Sequence, residues 1–300
     1  MDKEIIYINI SKEAVEERER MRLLPNKSVL MEENYESTRQ MILNSEPQPF
    51  PEANVRNKLE KECTCDDFDV YSISNGDYDK IIYYIHGGAW VFDILQAHVE
   101  FCDDLCACLN AKVYMPIYPL APKYSYKETY QMIIDFYDEL LKQGKPIYVM
   151  GDSAGGTLTL GLVQRLIVAG KKLPEKIVPL SPAANLAFDN PEAKEVEARD
   201  PMLALYGVID MVKMWAKGTD LKDSALTPIS GELSGFPPTL LFVSTDDILY
   251  PDDLILYNML QKAGCDVTLV VGQGLWHVFS ITDTPEREKS LAIIKDFCLK

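Results

Sequence analysis

Short apolar runs that alternate with helix-length segments constrain the fold of this chain more than any other feature. Strand-like segments fall at 67–74 (DFDVYSIS), 81–88 (IIYYIHGG), 111–118 (AKVYMPIY), 146–152 (PIYVMGD), 176–182 (KIVPLSP), 239–245 (TLLFVST) and 266–272 (DVTLVVG). Most of them are continuously apolar, so both faces are expected to be buried, as in a parallel sheet covered by helices. Helices are expected between and after them, at 96–109, 126–143, 154–169, 252–263 and 285–298. The predicted class is therefore α/β, with a mainly parallel central sheet and helices on both faces. Ligands of such sheets sit beyond the carboxyl ends of the strands, so functional residues are sought there.

The alternation fails in two places. Residues 185–235 are irregular and hold Trp215, Met202, Met211 and Met214, which suits an insertion packed over the sheet edge. Residues 11–24 look helical and heavily charged, with Ser11 as a cap, and 45–55 (SEPQPFPEANV) carries three prolines and reads as a linker. The expected organisation is an N-terminal arm over residues 1–50, followed by one larger domain over 51–300.

Composition removes several classes of function. Lys and Arg number 30 against 46 Asp and Glu, a formal charge of −16, which repels phosphate backbones and anionic headgroups. Nucleic acid is not an expected partner, and the acidity is most simply a solubility feature. No apolar run reaches the length of a membrane span, and the first residues lack the pattern of a secretory signal, so a cytoplasmic location is expected. The seven cysteines are odd in number and fit free thiols. Cys63 and Cys65 form a C-x-C, and Cys102, Cys106 and Cys108 share one predicted helix, but neither group has a further ligand at metal-like spacing. No metal is expected.

The chemistry is carried by Gly151-Asp152-Ser153-Ala154-Gly155, a G-x-S-x-G between a buried strand and a helix. That setting gives a tight turn with an exposed serine hydroxyl, and the helix N-terminus favours negative charge beside it. The Ala154 amide is placed to donate to an oxyanion. Further donors are expected from His86-Gly87-Gly88-Ala89-Trp90, a glycine loop at the end of an earlier strand. A serine needs a base. Of the three histidines, His86 is expected to order the glycine loop and His98 to be structural. His277 follows a strand that ends at the same sheet edge, and it is the only histidine after the serine. The acid is sought after the strand at 239–245, where Asp246 and Asp247 are candidates and Asp252 a third. Any of these gives the order Ser…Asp…His.

These residues together resemble the hormone-sensitive-lipase-like group of α/β-hydrolases over roughly residues 65–298. His86-Gly87-Gly88-Ala89-Trp90 resembles its H-G-G-G-[FWY], and Tyr118-Pro119-Leu120-Ala121-Pro122 its Y-R-L-A-P. Gly151 to Gly156 match its G-D-S-A-G-G, and Ser181-Pro182 resembles its S-P. The family's D-P-L-x-D spacing falls on Asp247-Ile248-Leu249 and so selects Asp247 over Asp246; His277-Val278-Phe279 resembles H-G-F. The resemblance implies a triad of Ser153, Asp247 and His277, and oxyanion donors Gly88, Ala89 and Ala154. It also implies a helical cap built from the N-terminal arm and residues 185–220.

Three positions depart from the pattern. Ala89 stands where the family has glycine and is expected to reshape its loop, because alanine tolerates positive φ poorly. Val278 replaces a glycine beside the base and is expected to narrow the site, and Pro119 replaces an arginine. The implied activity is hydrolysis of small neutral carboxylic esters with short to medium acyl chains, through an acyl-enzyme and without a cofactor. An amidase, formamidase or peptidase would use the same triad, and a non-catalytic binder is the third reading. The last strand and helix are candidates for a homodimer edge.

Overall fold

A computed structural model describes residues 4–300 of the chain. In chain order its elements are Ile5–Asn9 (β1), Lys12–Leu23 (α1), Tyr35–Leu43 (α2), Lys58–Cys65 (β2), Phe68–Ser74 (β3), Lys80–Ile85 (β4), Gln96–Leu109 (α3), Ala111–Pro116 (β5) and Tyr126–Leu141 (α4). There follow Ile147–Asp152 (β6), Ala154–Val168 (α5), Lys176–Leu180 (β7), Pro191–Glu197 (α6), Leu205–Ala216 (α7), Thr239–Ser244 (β8), Tyr250–Lys262 (α8), Val267–Gln273 (β9) and Pro285–Leu299 (α9).

The strands form one nine-stranded sheet in the order β1-β9-β8-β7-β6-β4-β5-β3-β2. Pairing is parallel from β1 to β5 and antiparallel only at β5–β3 and β3–β2. Strand β4 shows why the central runs lack alternation. Its Ile81, Tyr83 and Ile85 enter one apolar core and its Ile82 and Tyr84 the other. The first core lies under α4, α5, α7 and α8, and the second under α1, α3 and α9. The sheet is therefore sandwiched between two layers of helices.

Two strands were not expected from the sequence, and both are edges. β2 (KLEKECTC) has no buried residue, and β1 (IIYIN) buries only Ile8. The start of the arm is thus part of the sheet: β1 runs parallel to β9, with Tyr7 opposite Val271. Ser11 then caps α1 by accepting the Ala14 N–H at 3.1 Å, and its own N–H and hydroxyl donate to Glu286 in the first turn of α9. The rest of the arm reaches the insertion. Tyr35 Oη and Arg39 Nε donate to Asp210 on α7, both at 3.1 Å, and Gly207 has no room for a Cβ because Leu30 abuts it.

Candidate active site

The serine turn is set by close packing. Ser153 joins β6 to α5 with φ 53° and ψ −121°, a conformation that costs an L-residue energy and survives only where its surroundings enforce it. Here its N–H donates to Leu180 O at 2.8 Å, and a Cβ on Gly155 would overlap the carbonyl oxygens of Ile85 and His86. Ala154 is the first residue of α5, so its N–H has no partner within the helix.

Asp152 does more than separate glycine from serine. It is buried, and its Oδ1 accepts the Tyr84 hydroxyl at 2.7 Å and the Gly87 N–H at 3.0 Å. Its Oδ2 lies 3.2 Å from His98 Nε2, while His98 Nδ1 accepts the Leu95 N–H, which puts the His98 proton on Nε2. Burial would raise the Asp152 carboxyl, but His98 and the hydrogen bonds outweigh it and hold the group below the usual range. The carboxylate thereby fastens the glycine loop to the serine turn. Sequence reasoning gave neither Asp152 nor His98 this part, because what defines it is the burial of Asp152 against Tyr84, Gly87 and His98, which are far apart from it in sequence.

The glycine loop keeps a left-handed path. Gly88, Ala89 and Trp90 have φ of 114°, 50° and 61°, so Ala89 is held in the left-handed region that alanine tolerates poorly. The path is enforced from both ends. Gly88 O accepts the N–H groups of Val91 and Phe92, Trp90 O accepts that of Ala121, and the Trp90 ring stacks on Trp215 of α7 at 4.7 Å. His86 stacks on Tyr118 at 4.4 Å, and burial pushes its imidazole down to about 3. It is therefore neutral, and its Nδ1–H donates to Gly87 O.

Of the three acid candidates, one meets the histidine. His277 Nδ1 lies 2.7 Å from Asp247 Oδ2, with both side chains buried, and the other Asp247 oxygen accepts the Leu249 N–H at 3.0 Å. Asp246 turns instead to Arg199 at 3.2 Å and Arg18 at 3.5 Å. Asp252 accepts from Asn190 and Asn185. Burial would lower the His277 pKa, but the charge and hydrogen bond of Asp247 outweigh it, so the imidazole sits above its ordinary value.

The end of β7 brings the parts together. Leu180 O holds the Ser153 N–H, and the next residue's hydroxyl, Ser181 Oγ, accepts the Val278 N–H at 3.3 Å beside His277. Val278 itself has φ 54°, strained for a β-branched residue. Two further buried acids lie behind Asp247 and had no sequence signal: Asp200, in the irregular insertion, and Asp253, in α8. Burial and the Asp247 charge push Asp200 up to about 7, against hydrogen bonds from the Leu203, Met202 and Ile248 N–H groups.

Among the described residues no group of three or more His, Cys, Asp or Glu is arranged to hold a metal ion, and the cysteines are free thiols. No helix among the described residues is long and apolar enough to cross a membrane.

Comparison with known proteins agrees with this architecture. A family model described as the alpha/beta hydrolase fold matches residues 82–281. An esterase of Acinetobacter venetianus is 30% identical over 225 residues, which are 73% of this chain and 74% of that protein. An acetyl-hydrolase of Streptomyces hygroscopicus is 30% identical over 203 residues, 67% of this chain and 68% of its own. The crystal structure of a protein from Staphylococcus aureus assigned as an esterase superposes with a TM-score of 0.83 at 27% identity, covering 93% of this chain and 97% of that one. The chain belongs to the α/β-hydrolase family. Within that family it is a member of the hormone-sensitive-lipase-like esterase group.

Proposed function

We propose that this carboxylic ester hydrolase works through Ser153, His277 and Asp247, with the amides of Gly88, Ala89 and Ala154 receiving the oxyanion. Its substrates are small neutral esters of short to medium acyl chain. The observation that carries the reading is the buried 2.7 Å pair of His277 Nδ1 and Asp247 Oδ2. That pair keeps the Nδ1 proton pointed at the carboxylate and leaves Nε2 as the acceptor for the serine proton.

Ser153 Oγ attacks the ester carbonyl while Nε2 takes its proton. The carbonyl oxygen becomes an oxyanion between the glycine loop and the N-terminus of α5, where preorganised N–H groups stabilise it. Collapse expels the alcohol, which leaves with the proton from Nε2, and the acyl group stays on Ser153. Water, activated by the same imidazole, then releases the acid. Residues of α2, α6 and α7 cap the site, a reading supported by the contacts of Tyr35 and Arg39 with Asp210 and by the Trp90–Trp215 stack. The acetyl-hydrolase relative supports a short acyl group.

A fluorophosphonate probe followed by peptide mapping tests the nucleophile, with p-nitrophenyl esters from acetate to laurate for the acyl pocket. Label on Ser153, and no turnover by Ser153→Ala, are expected. Label elsewhere, or undiminished turnover by that variant, overturns the assignment. Faster cleavage of a matched anilide than of the ester would transfer the same machinery to amides.

A further inference from the structure

The turn that carries Asp247 is gripped by residues from outside the two strands that flank it. Arg18 of α1 donates to Gly274 O at 3.0 Å and pairs with Asp246. Arg199, just after α6, donates to Thr245 O at 3.0 Å. The next residue, Asp200, reaches deepest. It is 2% exposed, and its Oδ1 accepts the N–H groups of Met202 and Leu203 at 2.8 and 2.9 Å. Its Oδ2 accepts the Ile248 N–H at 3.0 Å. Consecutive N–H groups are thus held by two different carboxylates, Ile248 by Asp200 and Leu249 by Asp247.

A plain turn cap needs only the first of these oxygens. The second crosses from the insertion to the catalytic turn, in a place where burying a carboxylate beside Asp247 is costly. The insertion is itself fixed from the arm, because Lys27 Nζ donates to the carbonyl oxygens of Glu197 and Asp200, the latter at 2.9 Å. We propose that Asp200 is a positioning residue, whose bond to the Ile248 N–H keeps Asp247 in register with His277, and that Lys27 of the N-terminal arm sets Asp200. The inference rests on the triad reading above.

Asp247, Asp200 and Asp152 all act on His277, in that order. Asp200 faces Asp247, with Lys27 and Arg199 on its flanks and Asp253 beyond Asp247. Replacing Asp200 by a neutral residue removes a charge that favours the imidazolium wherever Asp200, pushed up to about 7, is ionised, so the upper part of the rising limb of kcat/KM moves to lower pH.

The test is steady-state hydrolysis of p-nitrophenyl butyrate from about pH 5.5 to about pH 9 by Asp200→Asn, Asp200→Ser, Lys27→Met and Asp247→Asn. Serine keeps an acceptor near the Met202 and Leu203 N–H groups but is too short to reach Ile248, so it separates bridging from local capping. The Asp200 variants are expected to lose ~10- to 100-fold in kcat, as small misplacements of catalytic groups do. Their KM stays within about twofold, since no substrate contact is removed. The far-downfield proton signal of the His277–Asp247 bond broadens, and Lys27→Met moves kcat the same way by less. Unchanged kcat, pH limb and proton signal in either folded Asp200 variant, with Asp247→Asn impaired, overturns this inference alone. Full activity of Asp247→Asn overturns the triad reading and this inference with it. Should neither Asp200 variant fold, Lys27→Met, altered on a half-exposed side chain, decides by the same three readouts.

Discussion

Asp253 should make the folded protein lose stability as the pH rises. Its carboxyl is fully buried in α8, and neither oxygen has a partner among the described residues. Burial, then the charges of Asp247 and Asp252, push it well above the ordinary 3.8. The folded state therefore keeps a proton that the unfolded chain releases near 3.8. A raised carboxyl contributes stability that is full below the unfolded pKa and is lost as pH climbs towards the folded pKa. The loss is at most about 1.4 kcal/mol per pH unit, so between about pH 5 and about pH 7 it reaches at most about 3 kcal/mol. Asp253→Asn keeps the shape and removes the titration. Urea unfolding of both proteins at the two pH values gives the difference directly. The variant is expected to gain on the wild type as the pH rises, while other titrating groups, Asp200 among them, largely cancel. A difference that does not change with pH would mean that Asp253 is ionised and satisfied in the fold, and the reasoning from its burial would be refuted.

Three further outcomes follow from the same geometry. Ala89→Gly relieves a left-handed alanine and is expected to stabilise by about 0.5 to 1 kcal/mol after the entropy of glycine in the unfolded chain is subtracted, which thermal unfolding would read. A destabilised variant would mean that the alanine methyl packs favourably in the loop. Gly155→Ala forces a Cβ into the backbone of β4 and the following residue; it is expected to cost ~3 kcal/mol and to remove fluorophosphonate labelling, and a stable, labelled variant contradicts the close packing. Because Asp247 holds the His277 imidazole above its ordinary 6.5, and the proposed base acts when neutral, kcat/KM should rise through a midpoint above that value. A pH profile with its midpoint below it would count against the pair.

The sandwiched strands were legible because both of their faces are core. IIYYI and TLLFV satisfy two apolar layers, as strands do inside a sheet covered on both faces. The edges were not, since β2 (KLEKECTC) offers solvent a polar strand and β1 is short with a single buried side chain. Their places come from backbone pairing with β3 and β9, which leaves little trace in side-chain pattern. The residues proposed for the site were readable from position at strand ends, yet the choice between Asp246 and Asp247 rested on a motif spacing alone. Space divides them: Arg18 and Arg199 draw Asp246 outward, while Asp247 turns to His277. Ala89 shows what sequence alone does not give. Its side chain argued against positive φ, but the Gly88 hydrogen bonds and the Trp90–Trp215 stack impose that backbone regardless. Asp200 and Asp253 had no signal, because what distinguishes them is burial beside Asp247, a property of packing between segments far apart in sequence.

The comparison that bears most directly on the triad is kcat for Asp246→Asn and Asp247→Asn on one p-nitrophenyl ester. Loss of the carboxylate behind His277 is expected to lower kcat by ~10⁴-fold, as when a triad imidazole is left in the wrong tautomer. Asp246→Asn, which weakens its ion pairs with two arginines and touches no part of His277, should stay within about tenfold of wild type, an order below the effect of a misplaced catalytic group. Equal losses, or the larger loss at Asp246, would contradict the assignment of Asp247 and with it the proposed orientation of the base.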